Sequence, residues 1–306
     1  MKQFTKDSLI SELISIKNQG WIESTRLYGE TGNSGAVGNT LETLLGITEN
    51  NLPIPNAAEW ELKAQRRRTS SLVTLLHQEP SPTGLTLVSN LLLPKYGWPH
   101  KSKVNELSFR QTITANRFSD RGFSVILNED EQKLEILFNA QYIDSRHIVW
   151  KNSVEQRVGL SELNPQPYWG YGDLGAKLKV KLKNTFFVFA DSKKQNGREY
   201  FWYNGVIMLQ SFSFQKFRDF LGTGIVYVDF DARTGHNHGT KFRLRQSILP
   251  LLFDSTVVIF NEPQEPAALK QMIDVSSVRP LAPVIQEEDL QVAANEAESG
   301  EGEEVF

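Results

Sequence analysis

Phe4, Ile10, Leu13, Ile14 and Ile16 recur at near-helical spacing, which predicts an amphipathic helix over residues 5–19. A glycine-rich stretch with Gly29, Gly32, Gly35 and Gly38 interrupts the pattern. Asn39 or Thr40 then serves as the cap of a short predicted helix that carries Leu41, Leu44 and Leu45 and stops at Gly46. Residues 59–64 read as a strand. Phe123–Leu127 and Leu134–Phe138 flank Asn128-Glu129-Asp130-Glu131, the pattern of a hairpin. Thr185–Ala190 and Tyr203–Leu209 read as further strands. Phe214, Phe217 and Leu221 share one helical face within 213–221, before a strand at Ile225–Phe230. Strands 242–246 and 256–260 close the body. This order predicts a mixed α/β (α+β) body in two lobes, joined around residue 105 and again around residue 165.

Composition alters this picture at one end of the chain. Residues 262–306 hold eleven acids against two bases (Lys270 and Arg279), a charge of −9, so the rest of the chain carries +6. Residues 263–306 are Pro-, Ala- and Glu-rich, with too few apolar side chains to offset ordering, and are expected to form an acidic, largely disordered tail. A moderately basic body over 1–262 suits a polyanion partner, although charge alone is weak evidence for one. With no cysteine, thiolate metal sites, disulfides and cysteine nucleophiles are excluded. No apolar run reaches the roughly 18 residues of a membrane span, and Met1–Gly20 lacks a signal-like apolar core. The plain expectation is a cytoplasmic protein without a membrane partner.

The candidate chemistry starts at Pro55-Asn56-Ala57-Ala58-Glu59-Trp60-Glu61-Leu62-Lys63. On a strand, residues two apart point the same way, so Glu61 and Lys63 would share a face, as would Glu59. A carboxylate that can hold a divalent metal then sits beside an ammonium that can orient a water, the Glu-x-Lys half of the nuclease motif PD…(D/E)xK. Glu42, on the helix after the glycine stretch, could face the same metal. Arg66, Arg67 and Arg68 follow, and Thr69, Ser70 and Ser71 can donate to phosphates. The bland alternative is an edge strand with a solvated polar face. The motif's Asp position holds Asn56.

A second constellation runs from Asp229 to Arg245. Asp229, Asp231 and Arg233 end one strand, a turn presents His236 and His238, and Lys241, Arg243 and Arg245 alternate on the next. Arg reads guanine bidentately and Asp accepts from cytosine N4 in the major groove, while a loop His could reach the minor groove. A solvated basic hairpin is the bland reading, and a two-His zinc site lacks obvious further ligands. Lys177, Lys179, Lys181 and Lys183 could form a phosphate-facing stripe, but Leu174, Leu178 and Leu182 argue for a helix with a solvated outer face.

The ordered combination Gly35–Gly46, Pro53–Lys63, Arg66 and Ser70–Leu75 resembles the catalytic lobe of the MvaI/BcnI restriction endonucleases, relatives of the mismatch-repair nicking enzyme MutH, over most of residues 1–260. The resemblance implies a PD-(D/E)xK core, a central mixed sheet flanked by helices, and two lobes forming a DNA cleft. The catalytic lobe would take about 1–105 plus later core strands, and the recognition lobe about 165–262. It implies a Mg2+ site (Mn2+ substituting) on Glu42, Asn56 and Glu61, with Lys63 positioning the attacking water. It also implies that Asp231, Arg233, His236, His238 and Arg243 contact bases, with Lys241, Arg245, Arg66 and Ser70 also on the DNA. The choice between Asp229 and Asp231 stays open. The implied activity is cleavage of duplex DNA by a monomer, nicking each strand in turn at a short pseudosymmetric site of CCNGG type, beside a cognate DNA methyltransferase.

Asn56 departs from this pattern, since its carbonyl can coordinate Mg2+ but brings no charge. Three readings stay open: Glu59 supplies the missing carboxylate, the chain is a cleavage-impaired DNA-binding member, or Asn56 replaces Asp by design so that DNA is held uncut. A MutH-like nicking enzyme of repair, activated by partner proteins, is the remaining rival.

Overall fold

The computed structural model describes residues 4–26, 35–47, 57 and 59–262. Gly29, Gly32, Asn56 and the expected tail 263–306 lie outside them. Chain order begins with α1 (Lys6–Asn18), β1 (Ile22–Glu23), α2 (Ala36–Leu45), β2 (Glu61–Arg66), β3 (Leu72–His77) and α3 (Leu93–Tyr96). It continues through β4 (Trp98–Pro99), β5 (Leu107–Ile113), β6 (Arg121–Asn128), β7 (Lys133–Ile143), α4 (Ile148–Val158), β8 (Tyr168–Gly170) and α5 (Tyr171–Lys181). The last third holds β9 (Asn184–Gln195), β10 (Arg198–Phe212), α6 (Phe214–Gly222), β11 (Tyr227–Arg233), β12 (His236–Asn237), β13 (Lys241–Arg245) and β14 (Phe253–Asn261).

These strands build three sheets. The first runs β1-β10-β9-β2, with β14 also on β10, and β2 joins β9 in parallel. The second runs β3-β13-β11-β5-β4, with β12 on β11, and the third is β6-β7-β8. Period-2 alternation splits the first sheet between two cores. Phe186, Val188, Val206 and Met208 face α1 and α2, while Phe187, Phe189, Ile207 and Leu209 join the larger core shared with the other two sheets. The chain passes from the first sheet to the second within Arg67–Ser71, which brings the end of β2 close to β3. Although β3 falls in the expected catalytic stretch 1–105, it pairs with β13 in the second sheet.

The expected elements recur with shifted ends. A reciprocal Thr5–Ser8 capping box starts α1, and Ser213 caps α6 through the Lys216 amide. Helix α2 begins at Ala36, earlier than an Asn39 or Thr40 cap would place it. Thr40 is buried inside the helix instead, where its hydroxyl accepts from the Thr25 amide at 3.1 Å. Strand β2 starts at Glu61, because Ala57 and Trp60 pair across a tight turn that holds Glu59 exposed. Glu59 is therefore outside the strand and does not share its face with Glu61 as the alternation had suggested. No helix among the described residues is long and apolar enough to cross a membrane.

Candidate active site and nucleic-acid interface

Strand β2 sends Leu62 and Ala64 into the core beneath α1 and α2, so Glu61 and Lys63 turn to the opposite face. Glu61 is 3% exposed. Its Oε1 accepts from Lys63 Nζ at 3.0 Å and lies 3.4 Å from Nζ of Lys181, the last residue of α5. Lys63 also donates to the Thr74 carbonyl of β3 at 2.6 Å, which fixes the ammonium between the two sheets. Burial pulls the Lys181 ammonium below its ordinary range, while the negative fields of Glu61 and Glu42 oppose that shift. Glu42, half-buried on α2, thus acts electrostatically on the same locus.

Whether this locus suits a metal can be judged from Glu61 itself. Its Oε2 is buried and receives no hydrogen bond among the described residues, nor does Oγ1 of Thr185, the register partner on β9. A buried carboxylate oxygen without a donor carries a desolvation cost of about 1–3 kcal/mol or more, which a cation would relieve. Carboxylate oxygens are also the donors that a hard divalent ion takes. Among the described residues, no group of three His, Asp or Glu side chains stands ready to hold a metal. The described donors are Glu61, with the Glu42 carboxylate acting on the same locus, and carboxylates are chemically suited to a hard divalent ion.

Arg66 has the opposite parity from Glu61 and Lys63, and the structure does not bring it to them. It makes a two-pronged ion pair with Glu199, both contacts at 2.7 Å, over the Phe201 ring. Arg67 is buried against Asn204 near Asp191. Ser70 is exposed in the link between the sheets.

The second constellation forms a polar face on the second sheet. Buried Val228, Phe230 and Ala232 alternate with Asp229, Asp231 and Arg233, and buried Phe242 and Leu244 with Lys241, Arg243 and Arg245. Register sets Asp231 opposite Arg110, Asp229 opposite Thr112 and Lys241, and Lys241 opposite His77. Asp229 is 1% exposed and takes Arg243 at 2.9 Å and Thr112 at 3.1 Å, so it serves as the internal counterion of Arg243. Asp231 is more open and lies 2.9 Å from Arg110 and 3.3 Å from Lys241. Arg233 pairs with Glu106 at 3.2 Å. Arg245 is part-exposed at the end of β13.

His236 and His238 meet edge to face, with ring nitrogens 3.2 Å apart. Burial lowers the His238 pKa, with Asp231 opposing. Two residues missed from the sequence, Arg110 and His77, belong here, with Lys181, which the sequence named only within a lysine stripe of a solvated helix face. Lys181 reaches Glu61, and Arg110 sits in the middle of the polar face. His77 is held neutral, its pKa lowered to about 4 by burial and by the charges of Lys241, Lys63, Lys181 and Arg243. That one imidazole senses both the Glu61 pair of lysines and the basic residues of β13 shows that the two constellations are neighbours. Only the long-range pairing of β3 with β13, invisible in local periodicity, could have revealed it.

Comparison with known proteins agrees with this geometry. A family model, the MvaI/BcnI restriction endonuclease family, matches residues 10–253. Among solved structures, a complex of restriction endonuclease MvaI with cognate DNA substrate is 23% identical, covering 84% of this chain and 99% of its own with a TM-score of 0.66. Restriction endonuclease MvaI in the absence of DNA is 22% identical over 85% of this chain and 100% of its own, with a TM-score of 0.45. No curated protein matches the chain. The first structure shares the fold, and the family match takes in both the Glu61–Lys63 face and the His236–His238 turn. The chain belongs to the MvaI/BcnI restriction endonuclease family and so is a type II site-specific deoxyribonuclease.

Proposed function

We propose that the chain hydrolyses duplex DNA with Mg2+, Mn2+ substituting, held by Glu42, Glu61 and the amide oxygen of Asn56. The buried Glu61 carboxylate carries this reading, because one oxygen is shared by two lysines and the other has no hydrogen-bond partner among the described residues. When bound, the divalent ion lowers the pKa of water and neutralises charge on the phosphate. Lys63, tied down by the Thr74 carbonyl and Glu61, orients the attacking water toward phosphorus. Lys181 adds a second fixed positive charge where the transition state gains negative charge. Glu59 is the alternative third carboxylate, although it stands in an exposed turn.

Asp231, Arg233, His236, His238, Lys241, Arg243 and Arg245 face the bases and backbone, with Ser70 at the edge near a phosphate. Arg66 stabilises the fold. One active site cannot serve both strands in a single pose, so a monomer would nick each strand in turn at a CCNGG-type site, with a methyltransferase guarding the host DNA. The neutral side chain at 56 favours a second reading, a member that binds its site but cleaves weakly. Plasmid digestion with Mg2+ and no partner proteins, followed by sequencing of the ends, tests the proposal. Linear product with ends at one CCNGG-type sequence supports it. Stalled open circles would point to a nicking enzyme, and intact plasmid with site-specific binding to the second reading.

A further inference from the structure

We infer that Glu79 is a positioning residue for sequence discrimination, holding the His236–Thr240 turn in register with the polar face of the second sheet. This rests on the reading of that turn as a base-contacting element. Glu79 follows β3 by two residues, and its Oε1 accepts from the Thr240 amide at 2.8 Å and from the Thr240 hydroxyl at 3.3 Å. The Asn237 side chain lies close enough to the same carboxylate to oppose the burial-driven rise of its pKa. Thr240 is fully buried, and its carbonyl accepts from the Gln78 amide at 2.9 Å.

The opposite edge of the turn is fixed by backbone alone. His236 pairs with Arg233 and Asn237 with Ala232, and the His238 amide donates to the Asp231 carbonyl at 2.9 Å. Within the turn, Asn237 Oδ1 accepts from the Gly239 amide at 2.9 Å, and Gly239 takes φ +84°, a conformation that side chains rarely adopt. Both histidines therefore lie between the β11 backbone on one side and, on the other, Thr240, which the Glu79 carboxylate and the Gln78 amide hold.

A carboxylate suits this position for a specific reason. It accepts the Thr240 amide and hydroxyl on one oxygen, and an ionised acceptor makes these bonds stronger than a neutral one of similar length would. Burial raises the Glu79 pKa, and the donors of Thr240 and Asn237 oppose that rise. A negative charge beside a surface for a polyanion disfavours binding in itself. Its gain lies in the geometry of the turn, where a misplacement of about 1 Å is enough to lose a directional contact.

The test is the ratio of cleavage rates on the cognate site and on sites with one altered base pair, measured on the full chain with melting temperatures alongside. Glu79→Ala is expected to lower this discrimination about tenfold or more, the scale of one lost base contact. Glu79→Gln keeps an acceptor for Thr240 and is expected to restore most of it. If Glu79→Ala does not fold, Glu79→Asp decides, since the shorter carboxylate draws the turn inward and should lower discrimination where Gln does not. Equal discrimination in the Asp and Gln variants overturns the inference. His236→Ala and His238→Ala separate the role of Glu79 from base contact by the turn itself. If they lose discrimination and Glu79→Ala keeps it, the role of Glu79 falls alone. If none of the variants loses it, the turn reads no bases and both fall.

Discussion

Lys181 at the end of α5 and Glu61 at the start of β2 meet at 3.4 Å, and Lys63 reaches the same carboxylate oxygen at 3.0 Å. Two ammonium groups on one buried oxygen are a poor arrangement for an isolated protein, because their mutual repulsion acts at low dielectric. On the proposed function, an entering phosphodiester would relieve this repulsion by supplying the negative charge that the two lysines share.

Lys181→Ala is expected to slow single-turnover cleavage about 100-fold, the usual cost of removing one preorganised charge. Lys181→Arg should recover part of the loss. DNA binding without divalent metal should change far less, which a mobility-shift titration checks.

Arg66→Ala should act through stability. Removing one partner of the Arg66–Glu199 pair strands a buried carboxylate and costs about 3 kcal/mol in urea denaturation. The slope of DNA affinity against salt should stay at the parent value, whereas Lys241→Ala should lower it by about one.

His77 gives a pH signature. Its folded pKa of about 4 lies below the ordinary value of 6.5, so the unfolded chain binds more protons between those limits. The neutral imidazole contributes fully above about pH 6.5, and stability falls as pH drops from there toward 4. His77→Gln should flatten this part of the stability profile by about 1–3 kcal/mol in urea melts at the two ends of the window.

Asn56→Asp should raise Mg2+ affinity and speed cleavage, because a carboxylate brings charge where the amide brings a dipole. Glu59→Ala, measured in the same titration, should change neither, as expected for an exposed turn residue. A large loss in Glu59→Ala would instead make it the third carboxylate.

Local periodicity revealed most of the elements. Helix α1, the β6–β7 hairpin and α6 follow from apolar spacing and the polar turn between the strands. The Glu61–Lys63 face was legible for the same reason. The position of Arg66 was legible too, since an odd offset from Lys63 sends it to the other face of β2, but proximity in sequence suggested a phosphate contact. Lys181 was hidden, because a helix with a leucine stripe does not reveal which lysine at its end turns inward. That depends on where α5 docks against β2. His77 and Glu79 depend on the β3–β13 pairing across more than 160 residues of chain, a tertiary fact with no local signal.

Glu61 and Lys63 are proposed as the centre of a metal-dependent nuclease. Cleavage of supercoiled plasmid by Lys63→Ala at saturating Mg2+, with site-specific DNA binding measured on the same preparation, tests it most directly. Binding is expected to survive while cleavage falls at least about 1,000-fold, since the residue proposed to orient the water is gone. Cleavage at the parent rate would contradict it.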